Sequence, residues 1–295
     1  MCASMYSLML IMMGCWGDQP VADAAIGPGT DRPVWLFEKT TTGWQRRPEP
    51  VAHSVSSLGL GLDSSRLILT AQCFWGDCGS EAKRAEIGPP VHTITTTDLQ
   101  SFEAGMLRLV DPEDRVPIDT EYRSSSAGDQ IWYYGTEAGT PGDPAEHKAM
   151  HRIYSARVEK NRLVQPTLEL QGPGLADPAP LTVDGQTLLF VTTLPGRAIG
   201  MATGSPRQVT KTWTGVSVPH AMLVDDEIWL WAQQVQAGRM VPVRVRSQDR
   251  GQTWTEWETP LPLDGIDGCG NPVGGVFKDT PVVFCVTEPI GAPRP

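Results

Sequence analysis

The chain has 295 residues, with 30 Gly and 26 Pro, too many helix breakers for an α-helical protein. Hydrophobic residues are 40% and charged residues 20%, enough apolar material for a core and no case for wholesale disorder. Asp+Glu (34) outnumber Lys+Arg (24), giving a formal charge of −10 that speaks against a phosphate-tracking surface, so no nucleic-acid partner is expected.

In chain order, residues 1–14 read as a signal peptide. The apolar run from Met5 to Met13 is too short to cross a bilayer. It ends in Met12-Met13-Gly14-Cys15, which resembles a bacterial lipobox, although no Lys or Arg precedes the run. Cys15 is the expected lipidation site and residues 15–32, small, polar and Pro/Gly-containing, the expected tether. The expectation is an exported chain held at a bacterial membrane by a lipid anchor, or free in the periplasm or outside the cell. With Cys2 and Cys15 set aside, four cysteines remain, and they permit three pairings. Export favours disulfides, and proximity in sequence favours Cys73–Cys78 and Cys269–Cys285. The alternative for Cys73 and Cys78 is a metal pair, but no second Cys/His cluster stands at zinc spacing.

Residues 33–288 carry a repeat. Five segments, beginning near Val51, Pro117, Leu175, Val218 and Cys269, each open with a polar residue in a short loop. Each then enters a small or apolar strand, turns at Gly, Asp or Ser, and continues into a stronger aliphatic or aromatic strand. Runs such as Ile131-Trp132-Tyr133-Tyr134 and Ile228-Trp229-Leu230-Trp231 suit strands covered on both faces. A second element, a Thr/Ser-rich hairpin ending in an aromatic, recurs. Its sharpest copy is Ser247-Gln248-Asp249-Arg250-Gly251-Gln252-Thr253-Trp254, an S-x-D-x-G-x-T-W pattern. In such a turn Asp249 can accept turn amides, Gly251 can take a positive φ and Trp254 can anchor beneath, so Ser247, Asp249, Gly251 and Trp254 are structural candidates. Looser copies are Thr95-Thr96-Thr97-Asp98-Leu99 with Phe102, and Thr40-Thr41-Thr42-Gly43-Trp44.

The S-x-D-x-G-x-T-W pattern resembles the Asp-box of BNR-repeat, sialidase-like propellers. The Asp-Pro openings and the Thr-Asp-Leu-x-x-Phe hairpin look like the five-bladed arabinanase, xylosidase and fructosidase glycosidases. About 255 residues at roughly 50 per blade make five blades. The expected fold is therefore an all-β, five-bladed β-propeller. Because the last segment runs short of strands while Pro33 to Trp44 forms a hairpin with no blade of its own, the N-terminal hairpin should join the C-terminal blade. Residues 289–295 are left as a tail.

Aligning the five openings places His53, Asp119, Asp177, His220 and Asn271 at equivalent positions, all polar, around the expected central funnel. Glu121 and Arg123 alternate with Asp119 on its strand, and Trp75 in the Cys73–Cys78 loop is either a sugar platform or an aromatic plug between blades. The resemblance to five-bladed glycosidases implies an Asp at the first opening, an Asp at the second and a Glu at the third. Here Asp119 and Asp177 stand as catalytic candidates at the second and third, while His53 replaces the first Asp. His53, Glu121, Arg123, His220, Asn271 and Trp75 are binding candidates. A Ca or Zn ion in the channel, with His53 and His220 as ligands, is a further option. Asp264-Gly265-Ile266-Asp267-Gly268 reads as a Gly turn rather than a calcium loop, and Arg152 and Tyr154 as strand residues and not sialidase machinery. The expected partner is carbohydrate or a surface glycan, bound by a monomer; the alternative is a non-catalytic scaffold.

Overall fold

A computed structural model of the chain describes residues 32–52, 57–62, 65–72, 91–107, 109, 111–112, 116–123, 130–136, 150–159, 162–194 and 197–287. No helix occurs among them. First in the chain is a hairpin, β1 (Val34–Thr40) and β2 (Gly43–Arg46). The first blade follows as β3 (Ser57–Leu62), β4 (Leu67–Gln72), β5 (Val91–Thr96) and β6 (Glu103–Leu107). The second is β7 (Val116–Arg123), β8 (Gln130–Thr136), β9 (Met150–Glu159) and β10 (Arg162–Pro173). The third is β11 (Leu175–Val183), β12 (Gln186–Thr193), β13 (Ala198–Thr203) and β14 (Gln208–Thr214). The fourth is β15 (Val216–Val224), β16 (Glu227–Gln236) and β17 (Arg239–Ser247), and the chain ends with β18 (Gly270–Phe277) and β19 (Thr280–Val286).

Hydrogen bonding sorts these strands into five antiparallel sheets, with the last in the order β18-β19-β1-β2. The inner strands touch in a closed cycle, β3 on β7, β7 on β11, β11 on β15, β15 on β18 and β18 on β3. This is a five-bladed β-propeller, and the N-terminal hairpin completes its last blade. Val34 pairs with Val286, the Thr287 amide donates to the Pro33 carbonyl at 3.0 Å, and the Trp35 indole N–H donates to Thr287 Oγ1 at 2.8 Å. The closure removes the free edge that β19 would otherwise present. A buried disulfide, Cys269–Cys285, ties the entry of β18 to β19. The residues of the Cys73–Cys78 expectation lie outside the described residues.

The sequence dictates this stacking through its second strands. Ile131 to Tyr134 and Ile228 to Ala232 are buried at every position, as strands sandwiched between neighbouring blades must be. Five apolar clusters result, one at each blade junction. Leu60, Leu67 and Leu69 meet Leu36 and Phe284 between the first and fifth blades, for example, and Phe190 and Ile199 meet Leu230 and Val243 between the third and fourth.

In the fourth blade the edge of β17 is covered by a strap. The Arg244 amide donates to the Glu258 carbonyl and the Glu258 amide to the Arg244 carbonyl, both at 2.9 Å, while Pro242 has no amide to offer. The turn leading into that strap is internally bonded. Asp249 Oδ1 accepts from Ser247 Oγ and the Thr253 amide at 2.8 Å each, the Trp254 indole donates to the Gly251 carbonyl at 2.8 Å, and Gly251 sits at φ +89°. The Thr253 hydroxyl, 2.5 Å from Asp249 Oδ2, and then the Thr253 amide hold the Asp249 carboxyl down to a pKa of about 2. Asp98 is lowered in the same way by the Ser101 and Gln100 amides.

Candidate functional site

Four inner strands carry a shared irregularity. Pairing with the second strand skips from Ile118 to Glu121, from Ala176 to Ala179, from Ser217 to His220 and from Gly270 to Val273. Each skip is a two-residue bulge: Asp119-Thr120, Asp177-Pro178, Val218-Pro219 and Asn271-Pro272. Asp177, Val218 and Asn271 take left-handed backbone at φ 48°, 53° and 47°. Two of these bulges hook onto the preceding blade. The Val218 amide donates to Thr192 Oγ1 at 2.8 Å, and the Asn271 amide donates to Gln233 Oε1 at 2.9 Å while Gln233 Nε2 donates to Ser217 Oγ. Between the second and third blades the link is His151 Nδ1–H, donating to the Leu175 carbonyl at 2.8 Å.

The first residue after each bulge, Glu121, Ala179, His220 or Val273, is buried. Two of them meet. His220 Nδ1 lies 3.1 Å from Glu121 Oε1, with side chains 1% and 6% exposed, and His220 Nε2 is 2.7 Å from the Gly274 carbonyl. A carbonyl oxygen only accepts, so Nε2 carries a proton and donates. The approach of Nδ1 to Oε1 at 3.1 Å is one of distance and lacks the alignment of a hydrogen bond. Glu121 also lies over the first blade. A methyl group at Gly59 would overlap the Thr120 carbonyl and come within 2.9 Å of Glu121 Oε2 and 2.5 Å of Thr70 Oγ1. One polar pair thus joins strands of the second and fourth blades, touches the fifth through Gly274 and abuts the first at Gly59.

This register separates the sequence candidates. Asp119, Asp177 and Asn271 share the bulge position. His220 does not: Val218 occupies that place in the fourth blade, and His220 falls two residues on, level with Glu121. The prolines mark the register, because Pro178, Pro219 and Pro272 align only when Val218 is matched with Asp177 and Asn271. Arg123 pairs with Gln130 at the far end of β7, about 13 Å of strand from Asp119. The side chains of Asp119 and Arg123, and His53 and Trp75 altogether, lie outside the described residues. Asp177 is half-buried and Asn271 buried. Ser247 is level with Ile228, so the 247–254 turn sits at the opposite end of the fourth blade from its bulge. Arg152 and Tyr154 are strand residues of β9, with Tyr154 stacked on Tyr133. For a channel ion, His220 Nε2 is already committed to the Gly274 carbonyl, so only Nδ1, on the Glu121 side, could ligate. In the 264–268 turn, Arg46 Nη1 donates to the Asp264 carbonyl at 2.7 Å and Arg239 pairs with Asp267 at 3.4 Å.

No protein-family model matches the chain, and no curated protein matches it in sequence. Solved structures do. An α-L-arabinofuranosidase from Lactobacillus brevis superposes with a TM-score of 0.52 at 12% identity, covering 79% of this chain and 85% of that one. The GH43 protein BlXynB from Bacillus licheniformis gives 0.50 at 10% identity, over 76% of this chain and 47% of that one. A Hadza microbial sialidase gives 0.50 at 14%, over 74% and 49%. The chain spans about half the length of the latter two. At these identities the likeness is one of fold, and the chain shares the five-bladed β-propeller architecture found among glycoside hydrolases of this kind.

Proposed function

We propose that this propeller binds carbohydrate at the mouth of its ring, at the end where the bulge residues Asp119, Asp177, Val218 and Asn271 stand above the Glu121–His220 pair. The observation that carries the reading is that pair, a buried acid and histidine that link the inner strands of the second and fourth blades just beyond the bulges. Solved structures of the same fold include an α-L-arabinofuranosidase and a sialidase, proteins that act on sugars. Asp119 and Asp177 occupy equivalent places on adjacent inner strands, which favours a second reading in which the site also cleaves a glycosidic bond. In that reading Asp177 acts as the acid and Asp119 tunes it, while the first opening carries His53 in place of the Asp that the resemblance implies. The leader and Cys15 support export with a lipid anchor, residues 15–32 serving as tether, and a buried disulfide suits an oxidising compartment. The 247–254 turn serves as an Asp-box that braces the far end of the fourth blade.

The test pairs glycan-array binding with release of nitrophenol from aryl α-L-arabinofuranosides and β-xylosides, using wild type, Asp119→Asn and Asp177→Asn. Array binding by wild type that falls about tenfold or more in Asp177→Asn is the expected result. Release abolished by both variants adds the hydrolytic reading. A wild type that neither binds nor releases overturns the proposal.

A further inference from the structure

Val218 stands where its residue type is least comfortable. A β-branched side chain at φ 53° is a genuine backbone outlier, whereas Asp177 and Asn271, at the same place in neighbouring blades, belong to the types that tolerate left-handed backbone. The residue before a proline is restricted further, and Pro219 follows directly. The fold holds the strain in place from two sides: the Val218 amide is bonded to Thr192 Oγ1 at 2.8 Å, and β15 resumes its pairing immediately at His220. An Asn would accept this geometry at lower cost and keep the same amide bond. Core packing gives no reason for valine either. Its neighbours Val216 and Ala221 belong to the cluster joining the third and fourth blades, while Val218 stands half-buried outside that cluster.

Strain retained without a packing return concentrates where a side chain is needed for contact with something else. We propose that Val218 is the apolar wall of the mouth, a specificity-determining residue that receives the C–H face of a sugar ring whose hydroxyls are met by Asp177 on the third blade. This rests on the carbohydrate reading above. Sugar rings are two-faced in the required sense, with hydroxyls around the edge and hydrogen-bearing carbons on the flat. A rim that carries a carboxylate on the third blade and an aliphatic group on the fourth matches that division.

The experiment measures melting temperature and affinity together, with arabinotriose, xylotriose and sialyllactose as probes in calorimetric titration against wild type, Val218→Asn and Val218→Ile. Val218→Asn relieves the strain and should raise Tm by about 2–4 °C, while its affinity for the best of the three sugars drops about tenfold. Val218→Ile, which keeps the apolar surface, should retain wild-type affinity. A Val218→Asn protein with raised Tm and undiminished affinity would overturn the proposal and leave the carbohydrate site standing. A lowered Tm would overturn it too, since valine would then be serving the fold. A wild type that binds none of the three removes the carbohydrate reading itself.

Discussion

Glu121→Ala is the sharpest test of the cross-ring pair. The two side chains are 6% and 1% exposed, so water cannot take over the lost contact, and His220 Nδ1 is left facing a cavity. Removing one partner of a buried acid–histidine pair strands the other and costs about 3–5 kcal/mol. In urea, with a slope of about 3 kcal/mol/M, that shifts the midpoint down by roughly 1–1.7 M. His220→Ala should cost a similar amount, because it also removes the donor to Gly274. The double variant should be less destabilised than the two singles combined, by about 2 kcal/mol, since neither group is then stranded. Glu121→Gln is the mild control: its amide N–H can donate to the Nδ1 lone pair of a neutral imidazole, limiting the loss to about 1 kcal/mol. Singles that each cost under about 1 kcal/mol, or that add within about 0.5 kcal/mol, would refute the cross-ring brace.

Gly59→Ala should destabilise by about 3 kcal/mol or more, because the new methyl meets the Thr120 carbonyl, which cannot turn aside as a side chain could; a stable variant in urea titration would mean that β3 and β7 separate easily. Replacing Cys269 and Cys285 together by Ala should lower unfolding free energy by about 3 kcal/mol, the value for a loop near the 16-residue separation here, and an unchanged urea midpoint would contradict it. Asp249 has a depressed folded-state pKa, so its contribution is complete above the unfolded value near 3.8 and disappears as pH falls through about 2. The Tm difference between wild type and Asp249→Asn should therefore be constant above pH 5 and close between pH 4 and 2; a gap that persists at pH 2 would show that the carboxylate charge is irrelevant to the turn.

The architecture was readable because propeller blades repeat, and the repeat survives in sequence as strand pairs of fixed character. Even the ring closure was legible by elimination, since Pro33 to Trp44 had strands without a blade and the last segment a blade without strands. The site was read less well, for a definable reason. Polar character was used to align the openings, which drew His220 onto the position of Asp177. The Asp177-Pro178, Val218-Pro219 and Asn271-Pro272 dipeptides carried the true register, because a bulge consumes two residues before pairing resumes. With that register, Glu121 and His220 fall on one level, a relation no local pattern reveals because it joins strands far apart in the chain. Arg123 shares its strand with Asp119 but stands about 13 Å farther along it, because alternation keeps a face but not a depth.

The closure of the last blade also sets an order of events. β1 is made first and pairs with β19, which is made last, and the Trp35–Thr287 bond spans 252 residues of chain. Until β19 has been made, the apolar Val34, Leu36 and Phe37 have only the β2 side of their sheet. The ring therefore fastens in a late, high-contact-order step, during which an unpaired strand is open to wrong partners. Once fastened, residues 33 and 287 lie a hydrogen bond apart, so a circular permutant that joins them and opens the chain between the hairpin and the first blade should convert the slow step into a local one.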